Sequence, residues 1–263
     1  MFDALYIGAT GMQAQQLNVE TIANNLANVN TVGYKRARVS FSDLMARDPA
    51  RTAGMGDAEA GVLQPALRLG SGVGIASVSK LFDLGDVKKT DAPFDITVQG
   101  EGFFEVLMPD GSSAYTRGGT WKVNKDGQLA TLAGLPLKGG IQVPEDIQAL
   151  VVQPDGRVQA KVANQSNALD LGKIELVRFT SPQGLLAQGD SVYRSSSASG
   201  EALPVRAGED GAGQVAQGYL EGSNVKMVDE MVNLMVAQRT YEANAKIVQA
   251  ADEILGLVNG LRR

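Results

Sequence analysis

The carboxy-terminal stretch, residues 223–263, constrains the fold most, because its pattern is that of one long helix with two apolar stripes. Within each stripe the apolar residues recur mainly at intervals of three and four, the spacing of one helix face. The stripes are offset by two residues, about 200° around the axis, so they lie on opposite faces. The first stripe comprises Leu234, Ala237, Tyr241, Val248, Ala251, Leu255 and Val258, and the second comprises Val236, Ala243, Ile247, Ala250, Ile254, Leu257 and Leu261.

Two apolar faces predict a helix that is held between neighbours, since a helix covering a globular core shows one polar face to water. We interpret the stretch as an assembly helix, and a buried central helix of one domain is the alternative. The polar Asn244 interrupts the first stripe. Ser223 or Asn224 is predicted to cap the amino end. Roughly 30 residues at 1.5 Å each give about 45 Å of helix.

The composition excludes many kinds of chemistry. Of 263 residues, 44% are apolar and 20% charged, which is typical of a globular protein, and there is neither cysteine nor histidine. Disulfides, cysteine or histidine zinc sites, thiol nucleophiles and histidine-dependent triads are therefore excluded. We predict that the protein is not an enzyme and has no catalytic, metal-binding or cofactor-binding residues.

Two charged clusters are candidate ligand sites. The acidic residues Asp83, Asp86, Asp91 and Asp95 lack the spacing of a calcium-binding loop, so we interpret them as a solvated turn. The basic cluster of Lys35, Arg36 and Arg38 is short, and the net charge is -5, so a solvated or intersubunit face is favoured over a nucleic-acid site.

The sequence carries no membrane or targeting signal that we recognise. No apolar run approaches the roughly 18 residues that can cross a bilayer. The amino terminus lacks the basic and apolar regions of a cleaved secretory signal. We therefore predict no membrane insertion and no cleaved signal peptide, and the compartment stays open at this point.

Residues 4–29 are predicted to form the first helix. Its first half contains Gly8 and Gly11 among other small residues, and glycine costs roughly 1 kcal/mol relative to alanine within a helix. Such residues indicate close packing against a neighbour. The second half is rich in asparagine, and Gly33 is predicted to take a left-handed conformation after the helix.

The middle of the chain changes to a period of two, which predicts short strands. Asp110-Gly111, Asp126-Gly127 and Asp155-Gly156 are predicted chain reversals with positive φ. The predicted strands are 75–78, 94–98, 103–107, 121–123, 147–152, 158–162 and 174–179. We therefore predict an α+β fold with three parts: a discontinuous helical domain of residues 1–45 and 223–263, an extended hairpin-like insertion at 46–74, and a β-rich domain at 75–222.

Both ends of the chain carry long motifs that resemble one family. The sequence ANNLANVNTVGYK at residues 23–35 resembles the amino-terminal motif of the flagellar rod and hook proteins, the axial subunits of the bacterial flagellum. GYLEGSNV at residues 218–225 and QRTYEAN at 238–244 resemble the carboxy-terminal motif of the same family. Shorter likenesses occur at Gly100–Phe104 and Ala114–Arg117.

The resemblance implies that the terminal helices pack together as a coiled-coil-like domain and that many copies form a hollow tube. One face of the last helix would then meet the first helix, and the other face would meet neighbouring copies. The predicted assembly residues are Asn25, Asn28, Thr31 and Gly33 in the amino-terminal motif, Leu234, Tyr241, Val248 and Leu255 on one face, and Ile247, Ile254 and Leu257 on the other.

Within the family, the 46–74 insertion most resembles that of the distal rod. The resemblance implies a structural subunit that polymerises helically into a straight, hollow drive shaft, which transmits torque from the motor to the hook. It implies a place in the periplasmic rod of the basal body, reached by type III export. The implied partners are further copies of the chain, proximal rod proteins, hook or hook-junction proteins, and the surrounding P- and L-ring proteins.

Three other interpretations stay open. A proximal rod or hook subunit belongs to the same family and would differ at the 46–74 insertion. An enzyme acting on cell-wall polysaccharide would use two carboxylates in the β-rich domain. A coiled-coil adaptor with a β ligand-binding module would form a small, defined oligomer.

Overall fold

The computed structural model describes residues 2–45, 70–144, 146–162, 168–209 and 211–260. The described chain is α+β, with helix α1 at Phe2–Ala27, helix α2 at Met227–Gly260 and a β-rich middle, as predicted. The strands are β1 Ala37–Met45, β2 Gly70–Lys80, β3 Val87–Lys89, β4 Asp95–Gln99, β5 Phe103–Leu107, β6 Ser113–Thr116, β7 Gly118–Val123, β8 Leu129–Thr131, β9 Ile147–Val152, β10 Arg157–Val162, β11 Leu169–Lys173, β12 Leu176–Arg178, β13 Leu186–Gly189, β14 Val192–Arg194, β15 Leu203–Val205, β16 Gln214–Gln217 and β17 Tyr219–Glu221.

The chain divides into two compact units. The helical unit contains the described parts of Met1–Asn24, Ala37–Ser79 and Val228–Arg263. The β-rich unit contains the described parts of Asn25–Arg36 and Lys80–Met227. Residues 25–36, which sequence analysis assigned to the helical domain, thus belong to the β-rich unit. Most of the predicted insertion, residues 46–69, lies outside the described residues.

The β-rich unit is built from antiparallel sheets. A six-stranded sheet has the order β13-β14-β6-β5-β12-β15, and a four-stranded sheet has the order β16-β4-β7-β8. Strands β11-β10-β9 form a third sheet, and β17 pairs with β3. Neighbouring residues of the six-stranded sheet point to opposite faces, and they enter two separate buried apolar clusters, with Phe104 in one and Phe103 in the other. The fully buried members of the larger cluster include Ile96, Val98, Phe104, Val106, Val158 and Leu176.

The turns follow the predicted glycine chemistry. Gly111, Gly127 and Gly156 have φ values of 79°, 74° and 85°, a region that glycine enters without steric penalty. Each glycine closes a reversal between two strands, although β6 and β8, which follow Gly111 and Gly127, were not among the predicted strands. Gly33 is likewise left-handed at φ 68°, although helix α1 already ends at Ala27.

Within the helical unit, α1 and α2 approach closely at two glycines of α1, Gly8 and Gly11. A Cβ atom added to Gly8 would lie 2.7 Å from Cγ2 of Val248, and one added to Gly11 would lie 2.8 Å from Nδ2 of Asn244. The small residues predicted to indicate close packing are therefore at the helix contact. Strands β1 and β2 pair as a two-stranded sheet in the same unit.

Candidate assembly site

The two family-like motifs meet within the β-rich unit, although they lie near opposite ends of the sequence. We call this contact of residues 25–36 with residues 218–225 the motif junction. The backbone N–H of Gly33 donates to the carbonyl of Glu221 over 2.8 Å. Strand β17, which contains Glu221, pairs with β3 and so anchors the junction to the sheet framework. The amino-terminal motif is thus held by backbone pairing as well as by side chains.

Lys35 and Glu221 form an ion pair at the centre of the motif junction. The Lys35 Nζ lies 2.7 Å from Oε1 of Glu221, and the two side chains are 0% and 2% exposed. Lys35 also donates to the carbonyl of Asp83 over 2.6 Å, and the N–H of Gly85 donates to Oε1 of Glu221 over 2.9 Å. The expectation of a solvated or intersubunit face was therefore wrong for Lys35, because a buried carboxylate neutralises it.

Arg117 completes a buried ion triad with Lys35 and Glu221. Its Nε donates to Oε2 of Glu221 over 2.9 Å, and its side chain is 3% exposed. Its terminal nitrogens donate to the carbonyls of Gly102 and Val98 over 2.9 and 3.2 Å. Each member of the triad comes from a stretch that resembled the family, which is the sequence signal that could have suggested their partnership.

The pKa shifts in the triad arise because one carboxylate, Glu221, pairs with two cations, Lys35 and Arg117. Burial alone raises the pKa of Glu221, but Arg117, Lys35 and the Gly85 N–H together outweigh burial and hold the pKa below its usual value. Burial lowers the pKa of Lys35, and Arg117 lowers it further against the attraction of Glu221. The two directions agree, because Glu221 has two counterions, whereas Lys35 shares the Glu221 carboxylate with Arg117 and is strongly desolvated.

Asn224 bridges backbone groups of the β-rich unit. Its Oδ1 accepts from the N–H of Arg36 over 2.7 Å, and its Nδ2 donates to the carbonyls of Leu81 and Asp83 over 2.9 and 3.2 Å. The predicted capping role was wrong, because α2 begins only at Met227 and the amide is occupied by these partners. Ser223 accepts from the N–H of Val225, ahead of the helix.

The predicted residues of the amino-terminal motif have different environments. Asn25 is 1% exposed and accepts from the hydroxyl of Tyr34 over 3.1 Å. Thr31 is exposed and donates to Oδ1 of Asn28 over 3.1 Å. Gly33 is buried in the motif junction. Asn25 and Gly33 therefore make buried contacts within the β-rich unit, while Asn28 and Thr31 lie nearer its surface.

The two predicted faces of α2 differ in exposure. On the first face, Leu234, Val248 and Leu255 are half-buried and Tyr241 is 42% exposed. Ala237 and Ala251 of the same face are buried. On the second face, the predicted assembly residues are 51%, 49% and 70% exposed, in the order Ile247, Ile254 and Leu257. Helix α1 contacts the first face at Val248 and Asn244, whereas Ile247, Ile254 and Leu257 of the second face are exposed among the described residues.

The acidic residues weighed as a metal site have other roles. The Asp95 side chain is buried and accepts from the hydroxyls of Thr90 and Thr120 over 2.6 and 2.7 Å. The carbonyl of Asp83 belongs to the motif junction. Within the described ranges, no three acidic side chains are grouped as a metal ion would require.

A cavity of about 630 Å³ in the β-rich unit lies beside Asn28 and Thr31. Its lining includes the charged residues Lys80 and Asp190. Lys80 is already engaged, since Nζ donates to the carbonyl of Lys35 over 2.9 Å and lies 4.0 Å from the ring centroid of Tyr34. The lysine therefore stabilises the amino-terminal motif.

Neither α1 nor α2 is long and apolar enough, along its described residues, to cross a membrane.

Three family models match separate parts of the chain. The model described as flagella basal body rod protein matches residues 5–35, and the FlgE/F/G D1 domain of the flagellar hook protein matches residues 97–160. The carboxy-terminal model of the flagellar basal body rod FlgEFG proteins matches residues 216–261. The terminal models thus include both halves of the motif junction.

Full-length relatives are also found. The flagellar basal-body rod protein FlgG of Borreliella burgdorferi is 38% identical over all of both chains. FlgG of Caulobacter vibrioides is 39% identical over 98% of this chain and 99% of the relative. The flagellar basal-body rod protein FlgF of the same bacterium is 32% identical over 98% of this chain and 100% of the relative.

Proposed function

This chain belongs to the flagellar basal-body rod protein family, and from that premise we propose that it is a FlgG-type structural subunit of the distal rod. The observation that carries the proposal is the end-to-end similarity to FlgG proteins. In this role the chain polymerises helically into a straight, hollow shaft, and torque passes through its closely packed helices from motor to hook. The protein has a structural role and is not an enzyme.

The exposed second face of α2 supplies the proposed contact between copies. Ile247, Ile254 and Leu257 are large apolar side chains, and each is about half or more exposed in the single subunit. Burying such surface contributes roughly 25 cal/mol per Å². Asn28 and Thr31 extend the proposed interface to the amino-terminal motif, while the first face of α2 packs with α1 as a coiled-coil-like pair.

The proposed location is the periplasmic rod of the basal body, reached by type III export without a cleaved signal. The proposed partners are other copies of the chain, proximal rod proteins below, hook or hook-junction proteins above, and the P- and L-ring proteins outside. The 46–74 segment is proposed to bridge neighbouring subunits and to stiffen the rod.

The alternatives are less well supported. A proximal rod subunit such as FlgF is similar over the same length, but the Caulobacter FlgG is 39% identical and the Caulobacter FlgF 32%. A polysaccharide-acting enzyme has no support in the names of the relatives. A coiled-coil adaptor would form a small oligomer, which the following experiment distinguishes from a rod.

The test is electron microscopy of concentrated, purified full-length protein beside the variants Ile247→Asp and Ile254→Asp. Both substitutions place a carboxylate on the exposed second face without disturbing the motif junction. We expect straight, hollow filaments from the unmodified chain and none from either variant, because a buried unpaired carboxylate strongly opposes contact. The same variants should fail to restore motility in a bacterium that lacks this gene.

The matched control is Gln249→Asp, which places the same charge at an exposed polar position of α2. We expect this variant to assemble more readily than the two isoleucine variants. Equal assembly of the unmodified chain and all three aspartate variants would show that the second face is not part of the interface. A discrete oligomer of the unmodified chain, together with no rescue of motility, would contradict the rod proposal itself.

A further inference from the structure

Three methionines form an exposed column at the start of α2. Met227, Met231 and Met235 are 48%, 51% and 55% exposed. They recur every fourth residue, so their side chains lie on the same side of the helix. The chain has only 8 methionines in 263 residues, so three within residues 227–235 is a marked local concentration.

Three valines adjoin this column. Val228, Val232 and Val236 are 72%, 48% and 58% exposed. Their direction around the helix continues the exposed second face toward its amino end. We call these three methionines and three valines the methionine-valine patch. The opposite side of the same turns is covered, since Glu230 and Ala237 are each 2% exposed.

Exposed thioethers have a chemistry that valine and leucine lack. Hydrogen peroxide transfers one oxygen atom to the sulfur lone pair, the O–O bond breaks, and the remaining oxygen leaves as water with both protons. The sulfur is oxidised to a sulfoxide and the peroxide is reduced. The flexible apolar side chain becomes polar, which disrupts methionine-rich contacts, and sulfoxide reductases can restore it.

We propose that Met227, Met231 and Met235 are a reversible oxidation site that controls whether the subunit can assemble. The inference rests on the proposed function, since it makes the methionine-valine patch part of the surface that packs against another copy. In the reduced state the patch is apolar and adjoins the second face of α2 through Val236, which belongs to both. Oxidation places sulfoxide oxygens where the neighbour must pack, and each buried oxygen without a partner opposes association.

The first measurement is peptide mapping by mass spectrometry after brief treatment of the full-length protein with hydrogen peroxide. Met12 and Met108, which are half-buried, serve as internal references. We expect the three patch methionines to gain oxygen several-fold faster than these references. Equal rates at all five positions would overturn the proposed site.

The second measurement is filament growth of oxidised and untreated protein, compared with the triple variant Met227→Leu, Met231→Leu, Met235→Leu. Each protein is scored as the ratio of its oxidised to its untreated growth rate. We expect oxidation to abolish most filament growth of the natural chain, and treatment with methionine sulfoxide reductases to restore it. We expect the leucine variant to keep a ratio near unity. Equal loss in the leucine variant would place the sensitive group elsewhere and overturn the inference.

A third measurement makes the test independent of growth in vitro. The triple variants to leucine and to glutamine are compared for motility rescue, since glutamine is permanently polar at each position. We expect the glutamine variant to rescue less than the leucine variant, and equal rescue would contradict the inference. If untreated natural protein neither grows filaments nor restores motility, the proposed function itself is contradicted. This outcome is distinguishable from failure of the oxidation site, in which the untreated protein still assembles.

Discussion

The ammonium group of Lys35 lies 2.7 Å from the carboxylate of Glu221, although 186 residues separate them in sequence. One residue belongs to the amino-terminal family motif and the other to the carboxy-terminal motif. The contact joins both motifs inside the β-rich unit, next to the points where the two terminal helices end and begin. One buried ion triad therefore joins the two family-like motifs.

Glu221→Gln is expected to destabilise the protein by about 3–5 kcal/mol, since removing one partner of a buried ion pair leaves charge without compensation. Here two cations, Lys35 and Arg117, lose the same counterion. The measurement is denaturant unfolding of the full-length chain with a β-structure signal as readout. The transition is expected to move to lower denaturant concentration with an unchanged slope.

Glu101→Gln is the matched control, because it removes the same charge from an exposed ion pair. Glu101 and Arg178 are 74% and 35% exposed and lie 2.7 Å apart. An exposed pair contributes about 0–1 kcal/mol, so the control should be nearly neutral. A Glu221→Gln protein as stable as this control would mean that the triad is not important for stability.

The stability difference between the natural chain and Glu221→Gln is expected to shrink in acid. The folded state holds the pKa of Glu221 below its ordinary value of 4.5, so the carboxylate contributes its full stabilisation above that pH. As pH falls below 4.5 and through the folded pKa, the carboxylate takes up a proton and the contribution is lost. Unfolding measured from neutral to acid pH checks this, and a constant difference would refute it.

Local patterns predicted much of the fold. The two stripes of α2, the strand at Ile147–Val152 and the positive φ of Gly127 depend on neighbours within a few residues. Hydrophobic periodicity and turn residues are local features, so they can be recognised directly in the sequence. The motifs at both ends also indicate the family from the sequence alone.

Long-range pairings could not be predicted in the same way. Nothing near Lys35 in the sequence indicates that Glu221 and Arg117 will surround it, so its neighbours alone favour a solvated or intersubunit face. Asn224 has the chemistry of a helix cap and stands just before a helix, but the chain places its amide among backbone groups of distant segments. A single sequence gives the residue type, whereas the tertiary fold decides the partner.

Asn224→Asp separates the bridging role of Asn224 from the capping role. Aspartate caps a helix as well as asparagine does. It cannot donate to the carbonyls of Leu81 and Asp83, and its charge would face their oxygens. We expect a loss of about 1–3 kcal/mol in the free energy of unfolding, because the Leu81 carbonyl loses its amide donor, whereas the Asp83 carbonyl keeps the Lys35 ammonium as a donor. Unchanged stability would show that the bridging bonds of the Asn224 amide contribute little.

The contact of α1 with α2 offers a comparison of the same substitution at two sites. Gly8 is buried against Val248, whereas nothing lies within 4 Å of a Cβ atom added to Gly256. Alanine is the better helix former by about 1 kcal/mol. Gly256→Ala should therefore raise the stability of the helical unit.

Gly8→Ala has the same intrinsic advantage but is expected to lower stability. Its methyl group would lie 2.7 Å from Cγ2 of Val248, a branched side chain that cannot swing away without leaving its helical rotamer. Overpacking of this kind costs about 1–3 kcal/mol, which exceeds the gain in helix propensity. Thermal unfolding followed by helical circular dichroism should show opposite shifts for the two variants. If both variants gained stability, α1 and α2 would not pack at Gly8 in solution.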